Sequence, residues 1–250
     1  MRKIAISLTK GGVGKTTTAV NLAAGLALAG SRVLLVDTDT QGQAGYMLGL
    51  QPRAELAGVL SKNITAEDAV VEARERLWLL AGGETLAGVK RAIEQKTAGS
   101  EEVLSKELSS LEDNYDFVIL DTSPGWDVMN INVLFYADEI LIPVSLEMMS
   151  IKGLVEFNRR LAVVRKYKPV ALNYVVPTFL DGRVKKSEAI LQKLQAHFSR
   201  QICSPIRYNV RLSEAPGHGQ TIYEYAPRSA GAQDYQKLAQ RIFKNGKTKT

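Results

Sequence analysis

With 250 residues, 45% of them hydrophobic, the chain is long enough to bury a core of its own, and we read it as one α/β domain over 1–250 with a flexible basic tail from about 245. A single cysteine, Cys203, excludes an internal disulfide framework and a multi-cysteine metal site, and no apolar run could cross a bilayer, so a cytoplasmic chain without a leader is expected. The net charge of +6 is unevenly spread: residues 1–150 carry 13 Lys and Arg against 20 Asp and Glu, residues 151–250 carry 19 against 6, which makes the second part a candidate polyanion-binding face.

The first predicted strand, Ile4 to Thr9, runs into Lys10-Gly11-Gly12-Val13-Gly14-Lys15-Thr16-Thr17, and an apolar, Ala-rich helix follows to Ala29. Glycines at 11, 12 and 14 let successive N–H groups converge on an anion, and the helix N-terminus behind them adds its positive dipole end. Such a loop is a phosphate cradle in which Lys15 would neutralise β- and γ-phosphates and the Thr16 hydroxyl would ligate Mg²⁺. Its spacing departs from G-x-x-x-x-G-K-[ST], because Thr9 stands where the first glycine belongs and a second lysine, Lys10, comes next. On these residues the loop resembles that of the ParA/MinD (Soj-like) ATPases. The resemblance implies a P-loop domain with a doubly wound, mainly parallel sheet and helices on both faces. It also implies that Lys10 crosses a dimer interface to the partner's phosphates.

A second buried strand, Arg32 to Val36, ends in Asp37-Thr38-Asp39-Thr40-Gln41-Gly42. Carboxylates at the carboxyl end of a parallel strand sit at the ligand edge of the sheet, and burying them is costly without a cation or a hydrogen-bonded water. The segment is similar to the family's D-x-D-x-Q-G, with Thr40 where Pro is usual. That similarity implies that Asp39 orients or activates the attacking water and that Asp37 supports Mg²⁺. Between 43 and 115 we expect a helix at Gln43 to Gly49, a short strand at Leu77 to Leu80, a turn at Gly82-Gly83 and long polar helices to about Glu112. The strand Asp116 to Asp121 then ends in an acid placed to hold Mg²⁺ through water and to bond the Thr16 hydroxyl. Thr122-Ser123-Pro124-Gly125 resembles the family's γ-phosphate switch, and Trp126 is read as a packing or dimer-contact residue.

Further strands are expected at Glu139 to Val144 and Val170 to Val176, with a helix from about Ser150 to Tyr167 between them; the thioethers of Met148 and Met149 would pack at a dimer interface. Arg183, Lys185 and Lys186 precede a helix striped with Ile190, Leu191, Leu194 and Phe198. The segment from Ile202 to Ile222 resembles the Soj-like I-P-x-x-x-x-L-x-E-A-P…G-x-x-I pattern, which implies that Pro205, Ile206 and Arg207 line the adenine pocket. Cys203 reads as a small buried residue on a strand, and His218 as a loop residue. The last helix, about Ala232 to Phe243, has an apolar face of Tyr235, Leu238, Ala239 and Ile242 and carries Lys237, Arg241 and Lys244.

Taken whole, the resemblance implies an ATPase using ATP and Mg²⁺ that dimerises on ATP, binds non-specific DNA through Arg183, Lys185, Lys186, Lys237, Arg241 and Lys244, and leaves the nucleoid on hydrolysis. Catalytic roles fall to Lys10, Lys15 and Asp39, nucleotide binding to 11–17 and 205–207, and Mg²⁺ to Thr16, Asp37 and Asp121. A ParB-like partner would stimulate it. The alternatives are a MinD-like membrane-associated cell-division ATPase, which the terminal helix raises, and a carboxysome or other protein-cargo positioning ATPase. A metal-cluster carrier would need a C-x-x-C pair that one cysteine cannot supply.

Overall fold

The computed structural model describes residues 1–247. Seven strands form one sheet: β1 (Arg2–Ile6), β2 (Val33–Asp37), β3 (Val71–Arg74), β4 (Leu77–Leu80), β5 (Phe117–Asp121), β6 (Glu139–Ser145) and β7 (Ala171–Thr178). Their order is β3-β4-β2-β5-β1-β6-β7, parallel throughout except that β3 runs against β4. Parallel strands need crossovers, and the helices that supply them cover both faces, so the strands between are apolar on both sides. Alternation is visible residue by residue. Leu34, Val36, Val118 and Leu120 join one core, while Val33, Leu35, Phe117 and Ile119 join the other.

The first helix, Lys15–Leu28, lies against the terminal helix, Ala230–Lys247, on the second of these faces. On the first lie the helices Leu86–Glu94, Val128–Tyr136 and Met148–Val164. Tyr235, Leu238, Ala239 and Ile242 are all buried at 3% exposure or less, so the terminal helix closes the domain.

Several expectations need correction. Instead of long helices between 86 and 112 there are three short ones, Leu86–Glu94, Val103–Glu107 and a 3₁₀ turn over Ser109–Asn114, because Gly99, at φ +68°, breaks the run. The edge strand β3 escaped prediction because its four residues, Val-Glu-Ala-Arg, carry two charges and a register shift. The helix after β7 begins at Lys185, so Lys185 and Lys186 are in its first turn and do not precede it. Cys203 is buried beside β7 in an extended stretch joined to it by the Val175–Ile202 bridge and by the Ile206 amide donating to the Pro177 carbonyl, and not in a strand; burial pushes its thiol up to about 11. His218 ends a short 3₁₀ turn, stacked on Tyr225. The expectations for the Met148 and Met149 side chains, and for the tail beyond 247, lie outside the described residues.

Candidate nucleotide-binding site

Every element of the site stands at the carboxyl edge of the sheet. Behind β1 the loop turns at Gly12 and Gly14, whose φ values of +71° and +85° are in the region that only glycine enters freely. Neighbouring strand ends pin it: the Thr178 hydroxyl donates to the Val13 carbonyl at 3.0 Å, and the Gly125 amide donates to the Thr9 carbonyl at 2.9 Å. Lys15 folds back over the loop so that Nζ donates to the Lys10 carbonyl at 3.1 Å. Burial lowers its pKa, while the Asp121 and Asp39 charges pull it back up. A cavity of about 390 Å³ opens here, lined by Gly11, Gly12, Gly14, Lys15, Thr16 and Thr17 from the loop and by Asp39, Gln41, Thr122 and Pro124 facing it.

The two lysines diverge. Lys10 Nζ leaves the loop and donates to Glu147 Oε2 at 2.9 Å and to Ser150 Oγ at 3.0 Å, at the start of the helix Met148–Val164. Lys15 thus provides the charge inside the loop, while Lys10 carries its own outward to Glu147 and Ser150.

The three acids also part company. Asp37 Oδ1 accepts from the Asp39 amide at 2.9 Å, and Oδ2 from the Ala44 amide at 3.0 Å. Burial pushes the Asp37 carboxyl up to about 6 against those two bonds. Both oxygens thus shape the loop 37–44, and each keeps a second lone pair toward the site. Asp39 faces the cavity, with Oδ1 accepting from the Gln41 amide at 3.1 Å. Asp121 is fully buried, and neither oxygen has a hydrogen-bond partner among the described residues. Burial and the Asp37 charge raise its pKa well above the usual carboxylate range, with the Thr16 hydroxyl and the Lys15 ammonium acting in the opposite direction. Two orphaned carboxylate oxygens beside a hydroxyl and a phosphate loop fit a divalent cation, so Thr16 and Asp121 are the residues that would hold Mg²⁺. Among the described residues no three His, Cys, Asp or Glu side chains converge as a metal cage, so phosphate and water oxygens would complete the shell.

A second cavity of about 160 Å³ continues from Gly14 and Thr17. Ile206 and Arg207 line it as expected; Pro205 does not. The Arg207 guanidinium is held by Asp234, at 2.9 and 2.8 Å, so it forms a fixed wall. Phe179, Tyr208, Asn209 and Tyr235 complete this base-sized slot. Tyr235 escaped the sequence reading because its helical spacing marks it as core; its hydroxyl lies 3.0 Å from that of Thr18, in the first turn behind the loop. Gly82 escaped too. A Cβ there would lie 2.5 Å from the Asp39 carbonyl and 2.8 Å from that of Asp37, so the glycine pair after β4 is a close backbone contact with the acid loop as well as a turn.

The candidate DNA residues do not gather in one place. Arg183, Lys185 and Lys186 are exposed just beyond β7, at the carboxyl edge, with Arg183 bonded twice to Asp181. Lys237, Arg241 and Lys244 follow one stripe of the terminal helix, whose far end reaches the amino edge, where Arg2 donates to the Ile242 carbonyl. Arg241 donates to the carbonyls of Ile202 and Arg200, so it also braces the chain.

A family model described as an AAA domain matches residues 1–174. The chain is 38% identical over 253 residues to the sporulation initiation inhibitor protein Soj of Bacillus subtilis (strain 168), covering 97% of this chain and 98% of that one. It is 35% identical over 252 residues to the chromosome partitioning protein ParA of Caulobacter vibrioides, covering 97% and 94%. Among solved structures, cobyrinic acid a,c-diamide synthase from Mycobacterium smegmatis, with a bound ATP analogue and magnesium, matches with a TM-score of 0.87 at 28% identity, covering 100% of this chain and 97% of that one.

Proposed function

The chain belongs to the Soj and ParA family of ATPases, and from that membership we propose that it works as a nucleotide-gated dimer. ATP joins two copies face to face, the pair holds duplex DNA without sequence preference, and hydrolysis releases both. The observation that carries this reading is the divergence of the two lysines: Lys15 serves its own loop, while Lys10 stands at the rim on Glu147 and Ser150, where a second copy's phosphates can take it over.

Within each site the glycine amides of 11–14 and Lys15 bind the phosphates, and Ile206, Arg207 and Tyr235 enclose the base. Thr16 and Asp121 would hold Mg²⁺, which would supply positive charge to offset that of the phosphates. Asp39 orients the attacking water toward the γ-phosphate. Thr122 and Pro124, which line the same cavity, register whether that phosphate is present.

Dimerisation brings two sets of exposed lysines together, chiefly Lys185 and Lys186, with Lys237 as a second contact. If each copy meets about three phosphates, the pair meets about six, and the salt dependence of binding roughly doubles. A ParB-like partner protein shortens the attached state, and the cargo is a chromosome, a plasmid or a protein compartment. The membrane alternative loses its support, because the apolar residues a lipid surface would need from the terminal helix are buried in the domain.

Three variants test the scheme by ATP binding, light scattering and retention on duplex fragments. Lys15→Ala loses ATP. Asp39→Ala binds ATP, dimerises and stays on DNA without turnover. Lys185→Ala with Lys186→Ala dimerises but no longer holds DNA. A chain that remains monomeric in saturating Mg-ATP overturns the proposal.

A further inference from the structure

Between the helices Val128–Tyr136 and Met148–Val164 runs an open groove of about 590 Å³, far larger than the base slot and away from the phosphate loop. Its apolar lining is Trp126, Ile131, Phe135, Val163, Val164 and Tyr167. Val163 is 56% exposed and Tyr167 77% exposed, so the surface continues outward from the groove. A side chain as large as tyrosine gains nothing from lying in water, and apolar patches of this kind mark sites of association.

The helix along one side of the groove is strongly basic. Residues 152–168 hold six Lys and Arg against one acid, Glu156. Arg160 lines the groove and lies over the Trp126 ring at 5.7 Å; Arg159 is exposed beside it, and both pair with Glu156. Lys166 is exposed at the Tyr167 end. Glu101 is the acid on the lining. Duplex DNA presents phosphates but no apolar ridge, so the lysines and arginines alone would suit it while the floor would stay unfilled. An amphipathic helix matches both parts, with its apolar side on the floor and acids against the rim.

We propose that this groove docks an acidic amphipathic helix of a partner protein. The groove floor is also next to the phosphate switch. Trp126 follows Pro124 and Gly125, packs edge-on against Phe157 at 5.6 Å, and precedes Asp127, which caps the helix Val128–Tyr136 through the Asn130 amide. Asn130 in turn donates to the Ser123 hydroxyl at 3.3 Å. A helix seated on Trp126 therefore biases the segment 122–127 and changes turnover; this consequence rests on the function proposed above, whereas the docking itself needs no nucleotide.

The probe is a synthetic helix of about 14 residues, or about 21 Å, with Leu and Phe on one face and Glu on the other. Its control replaces every Glu by Lys. Trp78→Phe leaves Trp126 as the sole tryptophan, so its emission reports docking directly. The acidic peptide is expected to saturate with a shift in Trp126 emission, and to bind about tenfold more weakly in high salt as the rim is screened. Val163→Asp with Tyr167→Ala, both exposed and so compatible with folding, weakens it at least about tenfold. Arg160→Glu narrows the preference for the acidic over the Lys peptide.

Equal binding of both peptides, or unchanged binding by the Val163 and Tyr167 variant, overturns the proposal. So does a duplex fragment that displaces the peptide and shows the same losses on these variants, which would make the groove a nucleic-acid surface. Binding is measured without nucleotide and dimerisation separately in Mg-ATP. A chain that docks the peptide but never dimerises refutes the ATP-gated pair and leaves the groove assignment standing.

Discussion

The ends of β2 and β5 carry the same pattern, four apolar residues and an aspartate, and lie side by side with Asp37 opposite Asp121. Both carboxyls are wholly buried, yet one accepts two backbone amides and the other has no hydrogen-bond partner among the described residues. The path of the chain beyond each strand makes the difference. After β2 the chain turns back through Gly42, at φ +59°, and its amides at 39 and 44 converge on Asp37. After β5 the chain leaves toward Pro124: the Asp121 carbonyl accepts from the Thr38 amide and hydroxyl, but nothing returns to the carboxylate. An acid held by backbone amides shapes a loop; one left without a partner is open to a cation.

The sharpest break would come from removing Asp37. Asp37→Ala strands one buried and one half-buried amide, and at about 1–3 kcal/mol each the loss of stability is about 2–6 kcal/mol, read by urea denaturation without nucleotide. Asp121→Asn should do the reverse, leaving unfolding within about 1 kcal/mol of the parent while weakening Mg-ATP binding about a hundredfold, or about 3 kcal/mol. Titration calorimetry with and without Mg²⁺ checks it, since affinity for ATP alone should hardly change. If the two variants behave alike, the contrast is wrong.

Gly82→Ala probes the Asp37 side from outside. The added methyl meets backbone oxygens that cannot rotate away, so it displaces the Asp39 segment, and turnover should fall about tenfold with ATP affinity nearly unchanged. The smallest effect concerns a third carboxylate, Asp127, held by a charge. Burial works to raise its pKa, but the Lys90 bond at 2.8 Å and the Asn130 amide hold it below the usual 3.8. A depressed acid stabilises the fold above the ordinary carboxylate pKa and loses that contribution as pH falls through its folded value. Lys90→Met should therefore cost about 1 kcal/mol at pH 7, and the difference from the parent should vanish in acid once Asp127 is protonated in the folded chain, as followed by thermal melts.

Much of the site was legible because its signals are local. Glycines at 12 and 14 set the turn of the phosphate loop within four residues, and apolar runs ending in Asp37 and Asp121 place those acids at the sheet edge whatever surrounds them. The apolar stripe of the terminal helix likewise announced its burial. Less regular stretches misled: the charges of β3 hid a strand, and Gly99 cut a run that composition alone joins into one helix.

From sequence alone came the phosphate loop, the strand ends beside it, the parallel α/β class and the split in charge. The loop and the strand ends arise from dihedral limits and hydrophobic periodicity, which act over a few residues, whereas the parallel class was implied by the family resemblance and the charge split is a matter of composition. Tertiary structure alone decided which buried aspartate is satisfied, that Lys10 rests on residues 137 and 140 positions away, that Arg241 braces carbonyls at 200 and 202, and that Tyr235 lines the base slot. Each of those depends on where a distant segment brings one donor or acceptor to within about 3 Å, and that distance is set by the packing of the whole sheet.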